Sequence, residues 1–146
     1  MGLTCSCGAR TNPTSSGEIS FLFDDGETRS GTLTINVDVC EDRLEISTFT
    51  ATFVDQSGMV PNRSFVFTST EVTGVDCILV NNQCRVVING MGQITGDPTP
   101  RGFFVVIADL LTIQESLEVF NISLFSTNIN STLIQPPLTF FGCPTS

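Results

Sequence analysis

TLTINVDV (residues 32–39) alternates without a break: Leu33, Ile35, Val37 and Val39 share one parity, and Thr32, Thr34, Asn36 and Asp38 share the other. Successive side chains of an extended strand point to opposite faces, so this stretch reads as a strand with one dry face and one wet face. The pattern repeats outward in both directions. Upstream, EISFLF (18–23) runs into the turn signal Asp24-Asp25-Gly26. Downstream, LEISTFTATFV (44–54) places Leu44 and Ile46 on one parity and Phe49, Ala51 and Phe53 on the other. A period-2 face cannot change parity without an extra residue, which predicts a β-bulge near Ser47-Thr48.

Further strands are predicted at 64–68, 77–80, 84–89, 102–109 and 117–125, with a last one at 138–141. Gln56-Ser-Gly-Met59, Asn81-Asn82, Gly90-Met-Gly92 and Gly96-Asp-Pro-Thr-Pro100 supply the turn chemistry between them. Short strands separated by such turns predict an all-β protein, a single jelly roll or β-sandwich of about eight to nine antiparallel strands. The apolar run FFVVIA (103–108) predicts a strand covered on both faces, central or at a subunit contact. The single helical candidate is 107–118, where a loop fits equally. Residues 1–17 read as a flexible N-terminal connector and 18–146 as the β-sandwich domain.

Composition narrows function by exclusion. The chain has 146 residues and a formal net charge of −9, with no basic patch to neutralise phosphates; nucleic acid and anionic membranes are not expected partners. No apolar run reaches the roughly 18 residues of a membrane-spanning helix. All six basic residues are arginine, and there is no His, Tyr or Trp. Without His, Lys and Tyr the usual general bases, Schiff-base amine and phenolic acid are missing, so the chain is not expected to be an enzyme or to carry a cofactor.

Individual motifs agree with that reading. Asp24-Asp25-Gly26-Glu27 lacks the ligand spacing of a calcium loop and reads as a hairpin turn with solvated acids. Gly90-Met-Gly-Gln-Ile-Thr-Gly96 fits neither phosphate-loop spacing and reads as a bend. The acid pairs Glu115/Glu118 and Asp38/Glu41 would suit glycosidase chemistry only in a cleft, which carbohydrate enzymes usually line with aromatic rings, and this chain has no Trp or Tyr. Three N-x-[ST] sequons, at Asn62, Asn121 and Asn130, matter only in a glycosylating pathway.

The cysteines are the unusual feature: Cys5, Cys7, Cys40, Cys77, Cys84 and Cys143. A two-residue turn at Asn81-Asn82 would set Val80 opposite Gln83, Leu79 opposite Cys84 and Cys77 opposite Val86. Cys77 and Cys84 then lie diagonally, about 7–8 Å apart, whereas a disulfide wants Cα atoms within about 6.8 Å. An intrachain Cys77–Cys84 bond therefore needs a wider loop. Cys5-Ser-Cys7 cannot readily close on itself, and it has neither the zinc nor the redox spacing. Two readings remain. In the first, all six are free thiols, with Cys77 and Cys84 as core filling. Alternatively, Cys5 and Cys7 sit on a tail that reaches a neighbouring subunit, with Cys40 and Cys143 as acceptors. If Met1 begins the chain, no secretory signal precedes these cysteines, since Arg10 is the first basic residue and TNPTSSG follows it. Synthesis in the cytosol, release by lysis and oxidation afterwards would reconcile the two facts.

LTCSCGAR, the hinge NPTSSG and a single domain of Thr/Val/Phe alternation together resemble the subunits of endospore appendage fibres. The resemblance implies a jelly-roll subunit whose N-terminal connector enters its neighbours and is locked there by disulfides, with sheets augmenting one another edge to edge. VVINGMGQITG and RGFFVVIADLL are also similar to β-rich modules of bacterial surface proteins. The expected function is a structural subunit of an extracellular or spore-surface fibre or coat, partnered by copies of itself and by unidentified anchoring or capping proteins. The rivals are a monomeric surface-binding module and a phage or virion structural protein.

Overall fold

The computed structural model describes residues 5–81, 83–109 and 115–142. The described residues form eleven strands and one short 3-10 helix: β1 (Gly8–Arg10), β2 (Ser15–Phe23), β3 (Thr28–Cys40), the helix (Glu41–Ile46), β4 (Thr48–Asp55), β5 (Phe65–Val80), β6 (Gln83–Ile94), β7 (Asp97–Asp109), β8 (Glu115–Ile122), β9 (Ser126–Asn128), β10 (Thr132–Ile134) and β11 (Thr139–Phe141). The all-β expectation holds. Strands β2 to β9 each pair antiparallel with their neighbours in sequence, and β9 returns to pair with β2 through Phe21↔Asn128 and Phe23↔Ser126. That order is an up-and-down meander closed on itself, where a jelly roll would need connections that cross between sheets.

The alternation in β3 explains why the sheet closes. Leu33, Ile35, Val37 and Val39 are at most 1% exposed, while Asn36 and Asp38 face solvent. The same parity on the other strands points Phe21, Phe23, Phe49, Phe53, Phe65, Phe67, Phe103 and Phe120 inward. An eight-stranded barrel has an interior just wide enough to be filled by side chains, and here phenylalanine rings fill it. Phe120 meets Phe21, Phe49 and Phe67 edge-on at 5.4–6.1 Å, and Phe49 stacks on Phe103 at 5.4 Å.

Four local expectations are corrected. The parity change near residues 47–48 is a change of element: Leu44 and Ile46 belong to the 3-10 helix, and β4 begins after it. The segments at 64–68 and 77–80 are one strand, β5, with register shifts between Ser69 and Glu71 and between Val72 and Gly74. Gly90-Met-Gly92 is no bend but part of β6, because the two glycines occupy inward positions under the rings of Phe103 and Phe67. The helical alternative fails at both its ends, since 107–109 close β7 and 115–118 open β8; residues 110–114 lie outside the described residues. Within FFVVIA, Phe103 and the run Val105–Ala108 are buried and Phe104 is partly exposed.

Candidate functional site: the disulfide-bonded end of the barrel

Chain direction sorts the barrel into two ends. One carries the 3-10 helix, the β5–β6 hairpin, β1 and β11; the other carries the β2–β3 and β4–β5 connections. At the first end, β3 runs past the last residue that β2 pairs, leaving Asp38–Cys40 free on that side. β1 takes the vacancy, with Gly8↔Cys40, Ala9↔Val39 and Arg10↔Asp38 in register. Its other edge pairs with β11 through Gly8↔Phe141 and Arg10↔Thr139. Gly8 is required here, because a Cβ would collide with the Val39 carbonyl and lie 2.9 Å from Cys5 Sγ.

Two disulfides staple this segment. Cys5 bonds Cys40 with Cα atoms 5.6 Å apart, and Cys7 bonds Cys77 with Cα atoms 5.8 Å apart. Ser6 sits between them and donates from its backbone N–H and its hydroxyl to Asp42, both at 2.8 Å. Those two bonds hold the Asp42 carboxyl below the usual range. The Glu41 N–H donates to the Cys7 carbonyl at 2.8 Å. Ser47 locks the turn beneath by accepting from Cys40 N–H at 2.9 Å and donating to the Arg43 carbonyl at 2.8 Å.

These positions correct the expectation of a free tail. Cys7 is 5% and Ala9 0% exposed, so the N-terminal segment is packed onto the barrel. Cys5, Cys7 and Cys40, read as intersubunit candidates, are bonded within the chain, because the docking of β1 brings each within disulfide reach of a partner in the same chain. Cys143 lies outside the described residues. The hairpin register is the one the turn predicts, with Val80↔Gln83, Leu79↔Cys84 and Cys77↔Val86. Cys77 and Cys84 are accordingly diagonal and unbonded to each other: Cys77 is taken by Cys7, and Cys84 is itself disulfide-bonded. No described cysteine is free.

The opposite end holds a charge cluster that the reading of the sequence missed. Arg29, 1% exposed, donates to Asp55 from Nη1 at 2.5 Å, to the Pro61 carbonyl at 2.9 Å and to Glu27 from Nη2 at 2.8 Å. Arg63 bridges Asp25 at 2.8 Å and Glu27 at 3.0 Å, and its guanidinium lies 3.9 Å from the centre of the Phe23 ring. Burial alone would raise the Asp55 carboxyl. Hydrogen bonds from the Ser57 hydroxyl and N–H, the Arg63 N–H and Arg29 outweigh it and hold the group well below its ordinary value. The acids after Phe23 do form the expected turn, with Gly26 at φ 91°, but Asp25 and Glu27 are paired with arginine, where solvated acids were expected. A signal for the cluster was present. Arg29 continues the inward parity of Leu33 and Ile35, and Asp55 that of Phe49 and Phe53.

The other acid pairs do not converge. Glu118 forms a two-point ion pair with Arg85 at 2.7 and 3.1 Å, while buried Glu115 accepts from Leu138 N–H. Burial pushes the Glu115 carboxyl up, with Asp109 adding to the rise. Among the described residues no group of three or more His, Cys, Asp or Glu is placed to hold a metal, and no helix is long and apolar enough to cross a membrane. Asn62, Asn121 and Asn130 of the sequons are exposed. The chain matches no family model, no curated protein and no solved structure.

Proposed function

We propose that this chain is a structural subunit that assembles with copies of itself into an extracellular fibre or coat, as its resemblance to endospore appendage subunits implies. One observation carries the reading: residues 5–10 form a separable element whose two cystines and whose β1 pairings with β3 and β11 all reach the body of the barrel. Residues 11–14 alone connect that element to β2. Contacts of this kind serve equally within one chain or between neighbours, and exchange of an identical element is a low-cost route to assembly. Exchange passed from each subunit to the next generates a fibre where its rotation does not close into a ring.

Two further features support the reading. Among the described residues β5 has no strand on its outer side beyond Thr68, and Ile78, Leu79 and Val80 are exposed there, which suits edge-to-edge augmentation. Closed cystines also suit a protein that matures outside a reducing cytosol, at a spore or cell surface.

The test pairs negative-stain microscopy with denaturing gels run with and without reductant. Uniform fibres that fall to monomer only with reductant, and that lose this resistance in Cys5→Ser/Cys7→Ser, support the reading. Monodisperse monomer at high concentration, oxidised or reduced, sinks it. That outcome favours a monomeric binding module, for which the groove of about 410 Å3 beside Glu18, Ser20, Gln56 and Asn130 is the place to seek a ligand.

A further inference from the structure

Five of the six arginines are in ion pairs: Arg10 with Asp38, Arg29 with Glu27 and Asp55, Arg63 with Asp25 and Glu27, Arg85 with Glu118 and Arg101 with Asp97. Arg43 is in none among the described residues, and its Nε is buried without a hydrogen-bond partner. Arg29 and Arg101 also leave Nε unpaired, but their Nη atoms are held by carboxylates. A buried guanidinium donor without an acceptor is costly, and so calls for an explanation.

Arg43 lines a cavity of about 100 Å3 beside the Cys5–Cys40 bond. Its position follows from the 3-10 helix, which is interrupted at Arg43 with φ −146° and ψ 54°. Ile46 and Phe141 make the apolar walls, and Arg10 stands at the same cavity, held by Asp38 at 3.3 Å and 5.9 Å from the Phe141 ring centre. Of the nearby carboxylates, Asp38 lines the same cavity but is paired with Arg10, and Asp42, whose charge Arg43 also feels, takes its hydrogen bonds from Ser6. The site thus offers an unspent planar cation, apolar walls and room for a few heavy atoms.

We propose that this cavity binds a carboxylate, anchored by the Arg43 guanidinium through paired N–H donors, with the short apolar stem of the ligand against Ile46 and Phe141. The carboxylate comes either from a small free acid or from an Asp or Glu side chain of a second copy, since the chain carries 15 acidic residues against six basic ones. The proposal does not rest on fibre formation, because the free-acid source acts on a monomer.

The experiment follows the Arg43 Nε–H resonance by NMR in the oxidised full chain, assigned by its loss in Arg43→Gln. In one arm, dilute protein is titrated with sodium acetate and sodium butyrate, with sodium chloride at matched ionic strength as control. In the other, protein concentration is raised with no carboxylate added. A saturable shift with butyrate, stronger than with acetate and absent with chloride, supports the free-acid source. A shift that grows with protein concentration and is reversed by butyrate supports the side chain of a second copy. Arg43→Lys, which keeps the charge and loses the planar fork, should bind at least about tenfold more weakly, the order of one charge-assisted hydrogen bond. No carboxylate-specific response in either arm, or an equal response to chloride, overturns the proposal. Circular dichroism of both variants confirms that the barrel is intact.

Discussion

Replacing the Cys7–Cys77 bond through Cys7→Ala/Cys77→Ala should cost about 4 kcal/mol of stability. The bond closes a segment with sequence separation 70, which in the chain-entropy relation corresponds to about 4.4 kcal/mol at 25 °C. The Cys5–Cys40 bond, with separation 35, shortens that loop. With it closed, the path from Cys7 runs back to Cys5, across to Cys40 and on to Cys77, roughly 40 residues, and the value falls to about 3.9 kcal/mol. For a chain of this size each kcal/mol moves Tm by about 2–4 °C, so the expected loss is about 8–16 °C. The assay is guanidinium denaturation of oxidised wild type and variant at equal, low concentration, with thermal melts alongside. Alanine suits the 5%-exposed Cys7 site because it strands no hydroxyl in the core. A loss below about 1 kcal/mol would refute the reasoning, because the bond would then not be constraining the unfolded chain. A loss that appears only at concentrations where the wild type is oligomeric would place the bond between chains instead.

Three further outcomes are expected. Asp55→Asn should destabilise by about 3–5 kcal/mol at pH 7, since it removes the charge that pairs with Arg29, whose side chain is 2% exposed. Because the folded-state pKa of Asp55 is depressed, its contribution is present above the unfolded value near 3.9 and is lost as pH falls toward the folded value. Urea midpoints of wild type and variant should therefore converge with acidification. Gly90→Ala should cost about 1–3 kcal/mol by forcing apart β5, β6 and the Phe103 ring, 2.6 Å from the new Cβ, whereas Gly74→Ala, with nothing within 4 Å, should be neutral in the same melts. Phe120→Ala should cost about 3–5 kcal/mol in chemical denaturation, because the rings of Phe21, Phe49 and Phe67 cannot collapse into the space it leaves.

The inward faces of β2, β3 and β4 were legible because alternation over several residues is a local signal that burial must respect. The β5–β6 register next to the hairpin was legible for a similar reason: a two-residue turn at Asn81-Asn82 ties Val80 to Gln83, and the pairs follow as far as Gly74↔Asn89, where the first register shift comes. Glycine misled. Gly90 and Gly92 look like a bend, yet each is the inward residue that makes room for a ring contributed by another strand, Phe103 or Phe67. The bulges in β5 likewise split one strand into two apparent ones, because a register shift breaks the period that defines a face. The parity rule did mark Arg29 and Asp55 as inward, and two opposite charges on inward positions of neighbouring strands could have been read as a buried pair.

The site was less legible than the fold. Cys5 and Cys7 read as a tail because three residues of strand, Gly8–Arg10, are too few to carry a period. Their docking depends on the vacancy that β2 leaves beside Asp38–Cys40, which is set by how far β3 outruns its partner.

By itself, then, the sequence determined the strand class, the apolar faces of β2, β3 and β4, the register beside the hairpin at Asn81-Asn82 and the scarcity of catalytic side chains. Each of these follows from residue type or from spacing over a few neighbours. Only the tertiary structure decided that β9 closes the meander onto β2, that Cys5 meets Cys40 and Cys7 meets Cys77, and that Arg43 stands beside a cavity with its Nε unpaired among the described residues. Those are meetings between residues tens of positions apart, and they are set by packing the phenylalanine core, which no local period encodes.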